Sequence, residues 1–251
     1  MRGMSEPIAY YSLFVFSFLA AGLVKGVTGM GLPTVAMGLL GLVMSPALAA
    51  ALLVIPSFVT NVWQMFSGAA VGPLLRRLWT MLAGIAAGTV GGAALLVHID
   101  PLWSGFGLGL ALVVYAGYAL LARPVSVAPR VEPWMSPIVG LVTGLITGAT
   151  GVFAMPAVPY LTALKMDKDA LVQALGLSFT VSTLALATGL FANDALHTGQ
   201  LGLSALAVMP ALAGMWAGRA IRARISAALF RKCFLLFLLV LGLELCSRPF
   251  F

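Results

Sequence analysis

The distribution of charged residues along the chain is the feature that most constrains its fold. No Asp, Glu, Lys or Arg occurs between Gly26 and Leu75, or between Pro133 and Leu164. Each stretch exceeds the roughly 20 apolar residues that cross a bilayer as a helix. A transmembrane β-barrel is excluded because its strands alternate polar and apolar residues, whereas these runs are continuously apolar. We therefore predict an all-α, polytopic transmembrane helical bundle that contacts the lipid bilayer.

Composition agrees with this class. Only 8% of the 251 residues are charged and 61% are hydrophobic, whereas soluble domains carry roughly 25% charged residues. The net charge of +7 is better explained by Lys and Arg at helix ends on one side of a membrane than by nucleic-acid binding. We expect a single membrane domain over residues 1–251 and no nucleic-acid partner.

Two of the apolar segments are too long for one crossing. The segments lie at about 8–43, 47–67, 78–98, 102–122, 134–163, 170–192, 201–218 and 229–247. The first and fifth contain 30 to 36 residues, which make roughly 45–54 Å of helix. Gly, Thr and Pro interrupt both of them. We predict that each is a broken, re-entrant hairpin, a backbone shape that a bilayer tolerates only against protein or a water-filled cavity.

The chain contains an internal repeat. The stretch Gly22–Gly29 (GLVKGVTG) matches Gly144–Gly151 (GLITGATG) at an offset of 122 residues. Ser57 matches Ser178 at an offset of 121. We predict that repeat one covers 8–122, that a linker covers 123–133, and that repeat two covers 134–247.

The basic residues in the connections indicate that the two repeats are inverted. Lys and Arg follow the second segment of the first repeat, but they follow the first and third segments of the second repeat. Eight simple crossings would put six of these residues inside and seven outside, against the cytoplasmic bias of Lys and Arg. If both long segments return to their starting side, the count becomes eleven inside and two outside, with the membrane-embedded Lys25 left out of both counts. We therefore predict two inverted-topology repeats with both termini periplasmic.

The two helix breaks are candidate anion sites. Gly lets the chain turn, and the N–H groups and positive dipole end of a new helix start favour an anion. Broken helices that meet near the midplane form the sites of many transporters with inverted repeats. The candidate residues are Lys25, Thr28, Gly29, Gly31 and Thr34 in the first break, and Thr147, Thr150 and Gly151 in the second. Tight helix packing is the alternative, and we favour it for Gly84, Gly88, Gly214 and Gly218.

Lys25 is the most informative single residue. It lies about eighteen residues into an apolar segment, where a Lys costs roughly 2.5–3.5 kcal/mol on insertion scales. It either reaches an interface, pairs with a distant residue such as Glu244, or attracts an anionic substrate. Glu244 is itself a candidate for proton coupling, with a place at the outer interface as the alternative.

Further polar residues inside apolar segments complete the candidate set. Ser57, Asn61, Ser178 and Ser182 either line a shared substrate cavity or form ordinary interhelical hydrogen bonds. No metal-ligand cluster, activated nucleophile or P-loop occurs, so we expect no cofactor, no metal and no enzymatic activity. An anion channel and a membrane-embedded protein without transport activity stay open as alternatives, and so does a homodimer.

The paired glycine-rich breaks, Gly22 to Pro33 and Gly144 to Pro156, resemble those of the TauE/SafE family. These proteins are described as sulfite or organosulfur exporters, or as the toluene-sulfonate uptake permease family. The resemblance covers essentially the whole chain. It departs from the commoner family pattern, a run of consecutive glycines, at Met30, Leu32, Val152 and Phe153. The resemblance implies a secondary transporter in the bacterial inner membrane that moves sulfite, sulfonates or related small anions by alternating access.

Overall fold

The computed structural model describes the backbone of residues 2–68, 70–121, 125–222 and 224–251, and their side chains except at 2–10 and 227. These ranges are mostly helical and contain no strand. The helices are α1 (Arg2–Thr28), α2 (Leu32–Gly41), α3 (Pro46–Met65), α4 (Val71–His98), α5 (Pro101–Leu121), α6 (Glu132–Thr150), α7 (Ala157–Ala163), α8 (Lys168–Ala192), α9 (Thr198–Leu206), α10 (Val208–Arg222) and α11 (Ala227–Ser247).

Several of these helices are long and apolar enough to cross a membrane. Within the described ranges there are six such spans: Tyr11–Thr28, Pro46–Met65, Val71–His98, Pro101–Leu121, Lys168–Ala192 and the nearly continuous α9 and α10 at Thr198–Arg222. The prediction of an all-α, multi-pass membrane protein is confirmed. The predicted linker at 123–133 begins outside the described residues, and its described part leads into α6 at Glu132.

Both long apolar segments are broken where glycine predicts it. α1 ends at Thr28 and α2 begins at Leu32, while α6 ends at Thr150 and α7 begins at Ala157. The turns use left-handed backbone at Gly29 (φ +78°), Gly31 (φ +98°) and Gly151 (φ +70°), a conformation that glycine adopts without a steric penalty. In the first break Pro33 lies in the first turn of the new helix, as expected. In the second break Pro156 is instead the residue that precedes α7.

The helices extend beyond several of the predicted segments. Arg76 and Arg77 were assigned to a connection, but α4 begins at Val71 and contains both. Arg219 and Arg222 likewise lie in the last turn of α10. Long basic side chains can extend from a helix end toward water while their stems cover apolar surface. A change from apolar to basic residues therefore marks an approximate membrane boundary, but it does not mark the end of the helix.

Two helix pairs pack closely through glycine. A Cβ on Gly22 or Gly26 of α1 would collide with the backbone of α10 at Ala211 or Met215. Contacts advance in the same direction along both helices, so α1 and α10 are parallel. The packing role favoured for Gly214 and Gly218 is confirmed, because a Cβ on either would collide with the backbone of α1.

The α4–α6 pair packs in the same way. A Cβ on Gly84 would lie 2.7 Å from the carbonyl oxygen of Pro137, and a Cβ on Gly92 would lie 2.7 Å from that of Leu145. The contacts again advance together, so α4 and α6 are also parallel. Gly88, between these two glycines, has its predicted packing role confirmed, since its Cβ would collide with the backbone of α6.

α3 and α8 form an antiparallel pair joined by two glutamines. Gln64 Nε2 donates to the carbonyl oxygen of Val172 at 3.0 Å, and Gln173 Nε2 donates to that of Met65 at 2.9 Å. The Gln173 side chain also accepts the N–H of Ala70 at 2.9 Å. The end of α3 is thereby joined to the start of α8.

Six basic side chains gather at one end of the bundle, which we call the basic end and define by Arg76, Arg77, Lys165, Lys168, Arg219 and Arg222. There Arg77 forms two hydrogen bonds to the Glu132 carboxylate, at 2.6 and 2.7 Å. Arg219 lies 5.6 Å above the Trp63 ring at the end of α3. The Tyr160 hydroxyl of α7 lies 3.2 Å from the Glu132 carbonyl oxygen. The end of α7 is therefore beside the start of α6, at the basic end.

The opposite end of the bundle is joined by different contacts. His98 Nε2 lies 3.0 Å from Asn193 Oδ1, which connects the ends of α4 and α8. Arg248, just after α11, donates to the carbonyl oxygen of Leu42 at 2.8 Å. The end of α2 is therefore beside the end of α11, away from the basic end.

Candidate functional site

Lys25 is buried at one end of a polar chain that joins three helices. It lies in the last turn of α1 and is only 3% exposed. Its Nζ donates to Asn61 Oδ1 on α3. Asn61 Nδ2 donates to Thr183 Oγ1 on α8 at 3.3 Å, and that hydroxyl donates to the carbonyl oxygen of Phe179 at 2.7 Å. The buried amine therefore has a neutral partner.

Lys25 does pair with a distant residue, but that residue is Asn61 and not Glu244, and the prediction that it reaches an interface is wrong. The side chain does not reach an interface, because it is buried. It does not pair with Glu244, whose side chain is 54% exposed and lies 3.4 Å from Arg248 Nε. Glu244 belongs to the end of α11 that meets α2, away from the basic end. Its predicted part in proton coupling stays a prediction.

Three buried serine hydroxyls on α3 and α8 have no hydrogen-bond partner within the described structure. They belong to Ser57 on α3 and to Ser178 and Ser182 on α8, and each side chain is at most 1% exposed. A hydroxyl inside a helix commonly donates to the carbonyl oxygen four residues earlier, as Thr60 and Thr180 do here at 2.8 and 2.7 Å. A buried polar group without a partner costs about 1–3 kcal/mol. Such groups call for a specific explanation.

These serines lie on the two helices that carry Asn61 and Thr183. Ser57 lies one turn before Asn61, and Ser178 lies one turn before Ser182, spacings that put each pair on one face of its helix. We call the set of Lys25, Ser57, Asn61, Ser178, Ser182 and Thr183 the central polar cluster. Gln64 Oε1 on α3 is also buried without a partner, as are the hydroxyls of Ser17, Thr89 and Ser104 on α1, α4 and α5.

The first break is held by its own threonine. The Thr28 hydroxyl lies 2.9 Å from the Val24 carbonyl oxygen and 2.8 Å from that of Met30, and it accepts the Met30 N–H at 3.2 Å. The N–H of Gly29 donates to the carbonyl oxygen of Lys25 at 2.8 Å. The turn therefore satisfies part of its own backbone.

The second break repeats this arrangement at equivalent positions. The Thr150 hydroxyl donates to the Ile146 carbonyl oxygen at 2.6 Å and accepts the N–H of Val152 at 3.2 Å. The N–H of Gly151 donates to the carbonyl oxygen of Thr147 at 2.7 Å, so Thr147 takes the place that Lys25 has in the first break. The Thr147 hydroxyl donates to the Val152 carbonyl oxygen at 3.2 Å.

The structure brings together only part of the predicted site. Lys25 and Asn61 are in direct contact, and Ser57, Ser178 and Ser182 belong to the same pair of helices. Thr28, Thr147 and Thr150 use their hydroxyls on nearby backbone. Thr34 is buried in the first turn of α2, and the backbone of Gly31 faces Phe234 and Val24. Substrate contacts by these break residues stay predictions.

Each break lies against helices that a single sequence does not identify. Met30 Sδ lies 3.8 Å from the Tyr115 hydroxyl of α5. A Cβ on Gly151 would lie 2.7 Å from Cε of Met37 on α2. The Phe153 ring lies 6.3 Å from the Phe179 ring of α8. The polar chain that starts at Lys25 ends at the carbonyl oxygen of Phe179, so its end lies next to the second break.

Thr183 is the member of the cluster that the sequence-based site set missed. Its signal was available in the repeat, because Asn61 and Thr183 are 122 residues apart. That separation equals the offset between the two glycine-rich breaks. If the two repeats are inverted, as the sequence predicts, residues at equivalent places would meet near the axis that relates them, so equal offsets indicate candidates for contact.

Comparison with known proteins gives one match. A family model described as "Sulfite exporter TauE/SafE" matches residues 13–245 of the chain. No curated protein matches the chain, and no solved structure matches it.

Proposed function

The chain belongs to the TauE/SafE sulfite exporter family, and from this premise we propose that it is a secondary transporter working by alternating access. Members of this family are membrane transporters of sulfite or organosulfur anions and are not enzymes. The resemblance seen in the sequence is thereby confirmed, as are the predictions of a transporter and of no enzymatic activity. The proposed cargo is sulfite, a sulfonate or another small organosulfur anion, carried across the bacterial inner membrane.

The central polar cluster is the observation that carries this proposal. A sulfite or sulfonate group spreads negative charge over several oxygens, each of which accepts hydrogen bonds. Lys25 supplies a buried amine, and Ser57, Ser178 and Ser182 supply buried hydroxyls whose hydrogen bonds are unassigned. Hydrogen bonds between a cation and an anion are roughly twice as strong as those between neutral groups. An anion within reach of these groups would offset the cost of burying them.

Helix packing supports two inverted repeats, over 8–122 and 134–247. α10 ends at the basic end, and α1 runs parallel to it. α4 begins at the basic end, and α6 runs parallel to it. α1 and α6 open the two proposed repeats, so the equivalent helices run in opposite directions. In this arrangement α2 and α7 are the re-entrant limbs, and the two breaks face the midplane, where such transporters bind their cargo.

The proposed orientation puts the basic end in the cytoplasm, because cytoplasmic loops collect Lys and Arg. The start of α1 and the end of α11 lie away from that end, so both termini are proposed to be periplasmic. A reporter fused after Phe251 tests this. Alkaline phosphatase should be active there and green fluorescent protein should be dark. The reverse pattern would contradict the orientation.

Transport is tested in proteoliposomes that hold the purified protein. Lys25→Ala should abolish uptake of labelled sulfite, taurine and an aryl sulfonate while the protein still inserts. Lys168→Ala, which removes an exposed Lys at the start of α8, is the matched control and should transport normally. Ser57→Ala with Ser178→Ala should reduce uptake further than either alone. Undiminished flux in Lys25→Ala would remove the cluster from the transport pathway.

A further inference from the structure

We infer that Lys25 is the proton-coupling group of the transporter, so that each anion bound in the central polar cluster brings a proton onto Nζ. This inference rests on the proposed function and adds to it the identity of the coupling ion. A proton from water on the loading side forms the fourth bond of the amine nitrogen as the anion enters. The proton returns to water on the other side as the anion leaves. Anion and proton therefore move together, and the cargo itself is chemically unchanged.

The first support is the absence of an acidic partner for Lys25. The ion pairs of the described side chains are Arg77–Glu132 and Arg248–Glu244, and neither includes Lys25. Its partner is the neutral amide oxygen of Asn61. Isolated buried charges are so costly that such groups lose their charge instead. We therefore infer that Nζ gains its proton together with the anion that supplies the missing negative charge.

The second support comes from the titratable groups on the helices around α1. α2 and α3 contain none. α10 contributes Arg219 and Arg222 and α11 contributes Arg231, Lys232, Cys233, Glu244 and Cys246, while α5 contributes Tyr115 beside the first break. The Glu244 carboxylate is ion-paired and exposed, and Glu6 lies roughly 28 Å from Lys25 along α1. The remaining charges in this set are positive, and they oppose a second cation.

Thermodynamic linkage then makes proton and anion binding cooperative. If the anion binds the protonated form more tightly, protonation is favoured by the anion to the same degree. With a monovalent anion the loaded site is neutral, and the empty site with a neutral amine is neutral as well. Both forms avoid carrying an isolated charge through the apolar interior. The conformational change is therefore least costly for the fully loaded and the fully empty protein, which is the requirement for symport.

The test measures proton uptake when an anion binds to the purified full-length protein in lipid nanodiscs. Methanesulfonate and thiosulfate are suitable probes because neither changes its own protonation between about pH 6 and about pH 9. Calorimetry in buffers of different ionisation heats gives the protons taken up per anion. We expect about one proton per anion at the alkaline end of this range, with affinity falling about tenfold per pH unit.

Three variants separate a coupling role from a structural one. Lys25→Met should bind the probes weakly, with no proton uptake and no dependence on pH. Lys25→Arg stays charged throughout this range, so it should bind the probes without proton uptake. Lys168→Met, the same substitution at an exposed position, should keep the proton uptake of the unmodified protein.

The possible results distinguish this inference from the proposed function. Anion binding without proton uptake in the unmodified protein overturns the inference and leaves the transport proposal standing. Proton uptake that persists in Lys25→Met also overturns it, because another group then carries the proton. If no probe, sulfite or taurine binds to the unmodified protein, the proposed function fails, and the inference fails with it.

Discussion

If the anion binds beside Lys25, as we propose, Asn61→Asp should weaken its binding. The substitution keeps the shape of the side chain that accepts the hydrogen bond from Lys25. It replaces a neutral amide with a carboxylate that can act as a permanent counter-ion. The new carboxylate would supply a counter-charge to Lys25, and an entering anion would face a negative charge where it now meets an amine without an acidic partner.

The size of the effect follows from Coulomb's law. Two unit charges about 4 Å apart interact with roughly 4 kcal/mol at an effective dielectric constant of about 20. The new carboxylate competes with the anion for Lys25 and also repels it, while relaxation and water entry weaken both effects. A net loss of about 2–4 kcal/mol corresponds to affinity lowered roughly 30- to 1,000-fold. The loss should shrink at low pH, where protonation of the new carboxyl removes its charge.

The assay is binding of methanesulfonate and thiosulfate by calorimetry, with flux in proteoliposomes as the second readout. Asn193→Asp is the matched control, because Asn193 contacts His98 at the end of the bundle away from the basic residues. It adds the same charge far from Lys25 and should leave affinity within about twofold. If Asn61→Asp folds, as thermal unfolding would show, and binds the probes as tightly as the unmodified protein, the anion does not bind beside Lys25.

Three further predictions concern the scaffold, and thermal unfolding in detergent measures each of them. Gly92→Ala should lower the free energy of unfolding by about 1–3 kcal/mol, because its Cβ meets the backbone of α6. Gly91→Ala, with open space around it, is the control and should be neutral or stabilising. Equal effects of the two substitutions would refute the close packing of α4 on α6. Arg77→Gln should lower the free energy of unfolding by no more than about 1 kcal/mol, since the Arg side chain is 43% exposed. The stability of this variant should no longer depend on salt as that of the unmodified protein does. An unchanged dependence on salt would count against the Arg77–Glu132 ion pair. Thr150→Val should lower the free energy of unfolding by about 1 kcal/mol, because it leaves a backbone N–H in the second break without its acceptor. Thr188→Val, which removes a hydroxyl from an exposed helix face, should cost less. The opposite order would refute the role of the Thr150 hydroxyl in the second break.

The sequence predicts the helical elements well because their signals are local. Charge-free runs locate the membrane-embedded helices, and glycines that need left-handed backbone locate both breaks, at Gly29 and Gly151. Small residues at regular spacing also predict close packing, which the structure confirms at Gly84 and Gly88. The ends of helices are less accurate, since α4 begins seven residues before the predicted segment at 78.

The partner of Lys25 could not be predicted, because it depends on which helices face each other. Asn61 is 36 residues away, across a break and a second helix, and no local pattern specifies that approach. Glu244 was a reasonable partner by charge alone, yet it lies beside Arg248. Which hydroxyls bond to the helix backbone could not be predicted either. Ser57 and Thr60 look alike in the sequence, but only the latter uses its hydroxyl on the helix backbone.

Lys25 and Thr147 occupy equivalent places in the two breaks but differ in chemistry. This difference has a consequence for the direction of the proposed transport. Two identical halves would give inward-facing and outward-facing forms of equal energy, and the carrier would rest equally on either side. One half here carries an amine, and the other carries a hydroxyl bonded to its own break. Under the proposed alternating-access mechanism the two forms are therefore unequal in energy, and we expect the empty transporter to have a preferred resting side. Such a bias would leave the final gradient unchanged, because the proposed driving ion would set it, but it would make loading faster from one face of the membrane.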